Sequence, residues 1–192
     1  MPSARGDARR HPDTSGAAGN PIAKVRQGGI PPGSDGDVHK TSSVAYGGGK
    51  LYVGVGSSCN ACTEIDPTRA TIQQMDPDGS NMATRATRFR NAIALAINPA
   101  TGTLWAGGAG QDSLPTGHPY EFFDGVTLHA GVADYGWPEC EENRHAYTSG
   151  ADCSKTVEPR IARATGIAVG RDGSLFFADD ANGYVYRVRP TP

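Results

Sequence analysis

A strand–turn–strand module recurs three times in this chain, and it constrains the fold more than any other feature. The first copy lies in HKTSSVAYGGGKLYVGVGSSCNACTEIDPTRATIQQMDPDGSN, residues 39–81. Here SSVAY leads through a GGGK turn into LYVGV, where Leu51, Val53 and Val55 alternate with Tyr52 and Gly54. That alternation marks a half-buried strand. ATIQQM adds a third strand ahead of a DPDG turn. The second copy is AIALAINPATGTLWAGGAG, with Ile93, Leu95 and Ile97 expected on one face and Ala92, Ala94 and Ala96 on the other. The third, GIAVGRDGSLFFADDANGYVYRVRP, turns at GRDG and again at DANG. Leu51, Leu104 and Leu175 take matching places in the three copies. Consecutive strands joined by glycine-rich turns predict antiparallel meanders, and repeated meanders predict the blades of a β-propeller. The copies are spaced more widely than the roughly 40–45 residues of the commonest blade repeat, so the surplus falls in long loops. Loops carried on a rigid scaffold are where function concentrates.

The 26 glycines and 14 prolines among 192 residues suit many turns, and no long amphipathic helical pattern is visible. A net charge of −2 gives no electrostatic footprint for a nucleic-acid partner. The longest clean apolar run, AIALAI, falls far short of the about 18 residues of a membrane span. Residues 1–36 are rich in Pro, Gly, Ser and Arg and read as a disordered or non-native lead-in, with residues 37–192 as the folded domain. Asp7 and Asp13 argue against an Arg-rich targeting peptide, and MPSARGDARRHP lacks the apolar stretch of a signal peptide. Taken alone, that start reads as cytoplasmic.

The four cysteines point the other way. Cys59 and Cys62 form a CNAC pair, while Cys140 and Cys153 bracket a polar loop. Two close pairs suit two disulfides in an exported protein. Structural zinc is the competing reading, but the second pair is too widely spaced for a second knuckle. No histidine follows Cys62 directly, which disfavours a c-type haem site.

From residue 37 to about 189 the ordered motifs HKTSSVAYGGGKLYVGVGSSCNAC, DPTRATIQQMDPDGS, FRNAIALAINPATGTLWAGGAGQD and DYGWPEC resemble the glucose/sorbosone dehydrogenase family. The wording is nearest to its sorbosone-dehydrogenase-like branch. The resemblance implies a six-bladed β-propeller that binds pyrroloquinoline quinone (PQQ) and calcium and oxidises sugars, in the periplasm or outside the cell. Two departures stand out. The family has more sequence before the His39 motif, and it has a further blade where this chain runs KTVEPRIARAT. What remains makes about three to four blades of antiparallel four-stranded meanders, a partial propeller. The resemblance thus implies a truncated chain with little activity of its own, unless a homodimer completes the ring.

By the same resemblance His39 matches the catalytic base, taking a proton from the sugar's anomeric hydroxyl as hydride passes to the quinone. A histidine suits that task because its ordinary pKa of about 6.5 lets it accept a proton near neutral pH. Ser43 stands where the family often has an arginine. Arg90 and Asn91 match an RN pair that contacts the quinone, and Arg163 matches the arginine ahead of the last blade. PQQ has three carboxylates, and guanidinium offers a bidentate fork for each. The main-chain carbonyls of Gly110 and Gln111 match a calcium loop, for which carbonyl oxygen is a suitable ligand. Tyr135 and Trp137, in DYGWP, are expected near the pocket mouth, where their faces could stack on sugar rings. Packing is the commoner use of such aromatics. The electrons would go on to an external acceptor. The rival readings are a non-catalytic propeller binding module or decayed relative, and a calcium-dependent lactonase-type propeller. The lactonase would need inward Asp, Glu and Asn ligands that these strands do not offer.

Overall fold

The computed structural model describes residues 39, 43–114, 121–141, 144–162, 166–179 and 183–189. The expectation for residues 1–36 lies outside them. In chain order the strands are β1 (Val44–Gly47), β2 (Lys50–Val55), β3 (Thr71–Met75), β4 (Ala83–Thr87), β5 (Asn91–Ile97), β6 (Leu104–Ala109) and β7 (Phe122–Gly125). A single short 3-10 turn, Val126–Leu128, follows β7. Then come β8 (Ala133–Asp134), β9 (Cys140–Glu141), β10 (His145–Ala146), β11 (Ile161–Ala162), β12 (Gly166–Val169), β13 (Leu175–Asp179) and β14 (Tyr184–Val188). The chain is all-β and propeller-like, with no closed ring among the described residues.

Each repeat becomes one blade. β1 to β4 form an antiparallel meander, with β8 added in parallel to the outer edge of β4. The β1–β2 turn is two residues long, with Gly48 and Gly49 both at positive φ (60° and 74°), the geometry that matches the twist of a hairpin. The DPDG and GRDG signals fold into one turn type. In both, the residue before the turn donates its amide to the serine after it, Asp76 to Ser80 and Gly170 to Ser174. Asp78 and Asp172 accept from the amide and hydroxyl of those serines.

Blades 2 and 3 depart from contiguous four-stranded meanders. The second blade is ordered β11-β7-β6-β5, and its fourth strand arrives only after residues 126–160 have left to supply β8 and the β9–β10 ribbon. The third holds three strands, β12-β13-β14, among the described residues. A bulge also corrects the face assignment of β5. Ala92 opposes Gly108 while Ala94 opposes Gly107, so Ile93 is the extra residue. A bulge resets alternation by one place. Ile93 is therefore 37% exposed, whereas Ala92, Leu95 and Ile97 join one core.

Blade-to-blade packing is apolar. Tyr52, Ile72 and Ala86 of the first blade meet Phe89, Ala92, Leu104 and Phe122. Between the second and third blades, Trp105 stacks on Phe123 (4.9 Å between ring centroids) and Phe123 on Phe177 (5.7 Å). Burying a large apolar side chain contributes about 1.5–3 kcal/mol, so these seams hold the blades face to face.

Candidate functional site

β2 and β6 end, and β5 begins, at the same end of the first two blades, so the loops there converge. Gly56 lies between His39 and Asn91. A Cβ at this position would sit 2.4 Å from the His39 Cβ and 2.9 Å from Asn91 Oδ1. Only glycine leaves room for both side chains.

The tautomer of His39 follows from its partners. Nδ1 lies 3.1 Å from the Ser57 carbonyl oxygen and 2.9 Å from Ser57 Oγ. The carbonyl can only accept, and the Ser57 hydroxyl already donates to the Cys59 carbonyl at 2.7 Å. Nδ1 must therefore carry the hydrogen, which leaves the lone pair of the neutral ring on Nε2. Such a ring can take a proton at Nε2 while Ser57 holds it in place.

Arg90 is beside this pair but turned into the protein, with 3% of it exposed. Nε donates to the Asn60 carbonyl (3.0 Å), and Nη2 to Asn60 Oδ1 (2.8 Å) and Asp112 Oδ2 (2.6 Å). Nη1 donates to the carbonyls of Gly110 and Ala109. All five N–H groups of the guanidinium thus have protein acceptors at hand. Arg90 pins the CNAC loop to the loop after β6, and it puts its positive charge on the Gly110 carbonyl. The side chain of Gln111 donates to the Pro138 carbonyl at 2.8 Å.

Both expected disulfides are formed, Cys59–Cys62 and Cys140–Cys153. Zinc is thereby ruled out as the partner of those thiols. Trp137 is 2% exposed, packs with Cys59 and Ala70, and donates Nε1–H to the Asn60 carbonyl at 3.0 Å. It lines a cleft of about 270 Å³ together with Cys62, Glu64, Arg69, Arg88 and Pro138.

Tyr135 departs from the expected stacking role. Its ring stacks on Phe122 (5.3 Å), meets Phe89 edge-on (4.6 Å) and is 4% exposed, so sugar has no face to reach. Its hydroxyl donates to Asp124 Oδ2 at 2.7 Å, which His129 Nε2 also approaches at 2.6 Å. Burial first, then the Asp124 charge and hydrogen bond, raise this phenol well above its ordinary pKa. It is a core residue. Arg163 lies outside the described residues.

No family model matches the sequence, and no curated protein matches it. Solved structures do match the fold. The PQQ domain of pyranose dehydrogenase from Coprinopsis cinerea, in its holo form, gives a TM-score of 0.57 at 15% identity, covering 74% of this chain and 48% of that one. A Trichoderma reesei protein of carbohydrate-active enzyme family AA12, in its calcium structure, gives 0.61 at 17% identity, over 75% of this chain and 49% of that one. A glucose dehydrogenase gives 0.57 at 18% identity, over 79% and 51%. The fold is similar to part of the fold of these solved structures.

The chain spans about half the length of those structures. On this sugar-dehydrogenase-like fold the donor set fits one end of a quinone site and not the other. The cradle over Gly56 brings together a proton acceptor and an amide, as the reacting end requires. The carboxylate end needs cations with donors to spare, and Arg90 has spent all of its own. Sequence reasoning missed Ser57, Asn60 and Asp112, which organise this end. The visible signal in CNAC is its sulfurs, although a polar residue enclosed by two cysteines is held where its amide must find partners.

Proposed function

We propose that this chain supplies part of the site of a PQQ-dependent dehydrogenase that oxidises an aldose or related sugar, with His39 as the base. The observation that carries this reading is the His39 tautomer, with Ser57 holding Nδ1–H, on a fold shared with a PQQ domain. His39 Nε2 takes the proton of the sugar hydroxyl, and Asn91 offers its amide beside it. Bound PQQ would supply the two-electron acceptor, with Ca2+ polarising it and an external acceptor receiving the electrons. Arg90 acts as a positioning residue that holds the loops of both blades. Ca2+ at the carbonyls of Gly110 and Gln111 would have to displace the guanidinium from Gly110. The two disulfides support a periplasmic or secreted setting. Val44 and Tyr46 of β1 and Tyr184 and Val185 of β14 are exposed, and these are the apolar faces that a second copy would cover in this reading.

The test is PQQ titration of the full chain by quinone absorbance, with and without Ca2+, followed by turnover of aldoses with an artificial acceptor. Light scattering assigns any turnover to monomer or dimer, and the dimer is the expected carrier. His39→Ala is expected to bind PQQ as the parent does and to turn over about 10²–10⁴-fold more slowly. Absence of PQQ binding in every fraction overturns the reading. It would favour the second one, a non-catalytic binding module, for which the saturated donors of Arg90 already speak.

A further inference from the structure

The two disulfides sit in different surroundings. Cys140 and Cys153 are both buried, with 1% and 8% exposed. Cys59 is buried at 5%, but Cys62 is half-buried and opens onto the cleft of about 270 Å³. Glu64 lies in the same cleft, and its carboxylate and the sulfurs of Cys59 and Cys62 all lie within 4.8 Å of one another. Ser58 fixes that carboxylate, donating its amide to Oε1 (2.7 Å) and its hydroxyl to Oε2 (2.8 Å). The Arg69 and Arg88 side chains also line it, Arg88 paired with Asp134 (2.7 Å) and with Glu139 of the same lining (3.0 Å), and Trp137 and Pro138 give it an apolar wall. Disulfide exchange requires an accessible sulfur and an attacking thiolate, and the Glu64 carboxylate beside the pair offers a proton acceptor for an incoming thiol.

We propose that Cys59–Cys62 is a thiol–disulfide exchange site for small thiols, whereas Cys140–Cys153 is a structural crosslink. The cleft is below the roughly 300–1,000 Å³ of pockets for drug-sized ligands, which suits a small thiol better than a larger ligand. The incoming thiol gives its proton to Glu64, and its sulfur attacks Sγ of Cys62. A mixed disulfide forms at Cys62, the Cys59–Cys62 bond breaks, and Cys59 leaves as thiolate and takes the proton from Glu64. A second thiol then attacks the incoming sulfur. It releases the small disulfide and leaves both cysteines reduced, so two thiols are oxidised for each disulfide reduced. The opened ring also frees Asn60, the residue that holds Arg90, Asp112 and Trp137.

The experiment treats the native full-length chain with reduced glutathione, and separately with dithiothreitol. Alkylation of the released thiols and peptide mass mapping follow. Cys59 and Cys62 are expected to be alkylated while Cys140–Cys153 stays intact, with the glutathione adduct trapped on Cys62. Trp137 emission is expected to change on the same time course, since its ring packs on Cys59. Glu64→Gln keeps an oxygen for Ser58 and is expected to slow thiol release about 10²-fold, with the emission of the oxidised protein unchanged. Opening of both disulfides together, opening of Cys59–Cys62 only in denaturant, an adduct on Cys59, or an unchanged rate in Glu64→Gln would each overturn the proposal.

Discussion

Arg90 and Asn60 hold each other through two hydrogen bonds across 30 residues of chain, Nε to the carbonyl at 3.0 Å and Nη2 to Oδ1 at 2.8 Å. Asn60 also accepts the Asp112 amide (2.8 Å) and the Trp137 indole N–H (3.0 Å), and donates Nδ2 to the Asp112 carbonyl (3.0 Å). One amide inside a four-residue disulfide ring therefore ties three loops together.

Asn60→Ala removes Oδ1, one side-chain partner of a buried guanidinium, and leaves Asp112 and the main-chain carbonyls. Leaving a buried donor unsatisfied costs about 1–3 kcal/mol, and the loss should take that size. Urea denaturation of the oxidised protein measures it, and a change below the error of the midpoint would show that Asn60 is not the anchor.

Stability should fall at high pH through Tyr135. The unfolded phenol ionises near its ordinary value of 10.0, and the folded one well above it. The neutral folded phenol therefore contributes fully below pH 10, and the contribution is lost as pH rises from there toward the folded pKa. Denaturation midpoints from pH 8 to 11 should decline in the parent and flatten in Tyr135→Phe. Parallel profiles would refute the assignment.

Asp172 is expected to titrate at about 2, held down by the Ser174 amide first, then by its hydroxyl and by Arg187. Its stabilising effect is present above the ordinary value of 3.8 and is lost as pH falls toward about 2. Carboxyl NMR titration should show a partial upward shift in Ser174→Ala and in Arg187→Ala alike, since the Ser174 amide stays in both. A return to the ordinary value in Arg187→Ala alone would mean that charge, not the turn, sets this pKa.

Phe123→Ala should uncouple the third blade. Phe123 is wholly buried between Trp105 and Phe177, and removing a buried phenylalanine costs about 3–5 kcal/mol. Hydrogen exchange should quicken in β13 and β14 more than in β2 and β3. Uniform quickening would mean that the blades unfold as one unit.

Strands, turns and disulfides were legible because each is decided within a few residues. The alternation in LYVGV, the two-residue Gly48–Gly49 turn and the DGS turns need no distant partner to be recognised. The faces of β5 were not, because the bulge at Ile93 exists only against Gly107 and Gly108 of β6. Nor was the route of residues 126–160, which leave the second blade to add β8 beside β4 before returning as β11. Short two-residue strands carry too little pattern to reveal their pairing.

The sequence by itself determined an all-β chain of repeated hairpins and put its cysteines in close pairs suited to disulfides, whereas His39 and the RN pair stood out only through the family resemblance. The hairpins and cysteine pairs depend on local periodicity, turn chemistry and short loop closure. Only the tertiary structure decided what the site residues do. It turned Arg90 inward onto Asn60, Asp112 and Gly110, enclosed Tyr135 between Phe89 and Phe122, and set the His39 tautomer through Ser57. The reason is that a buried polar group must find its partners wherever the fold brings them, and those partners come from loops that are remote in the chain.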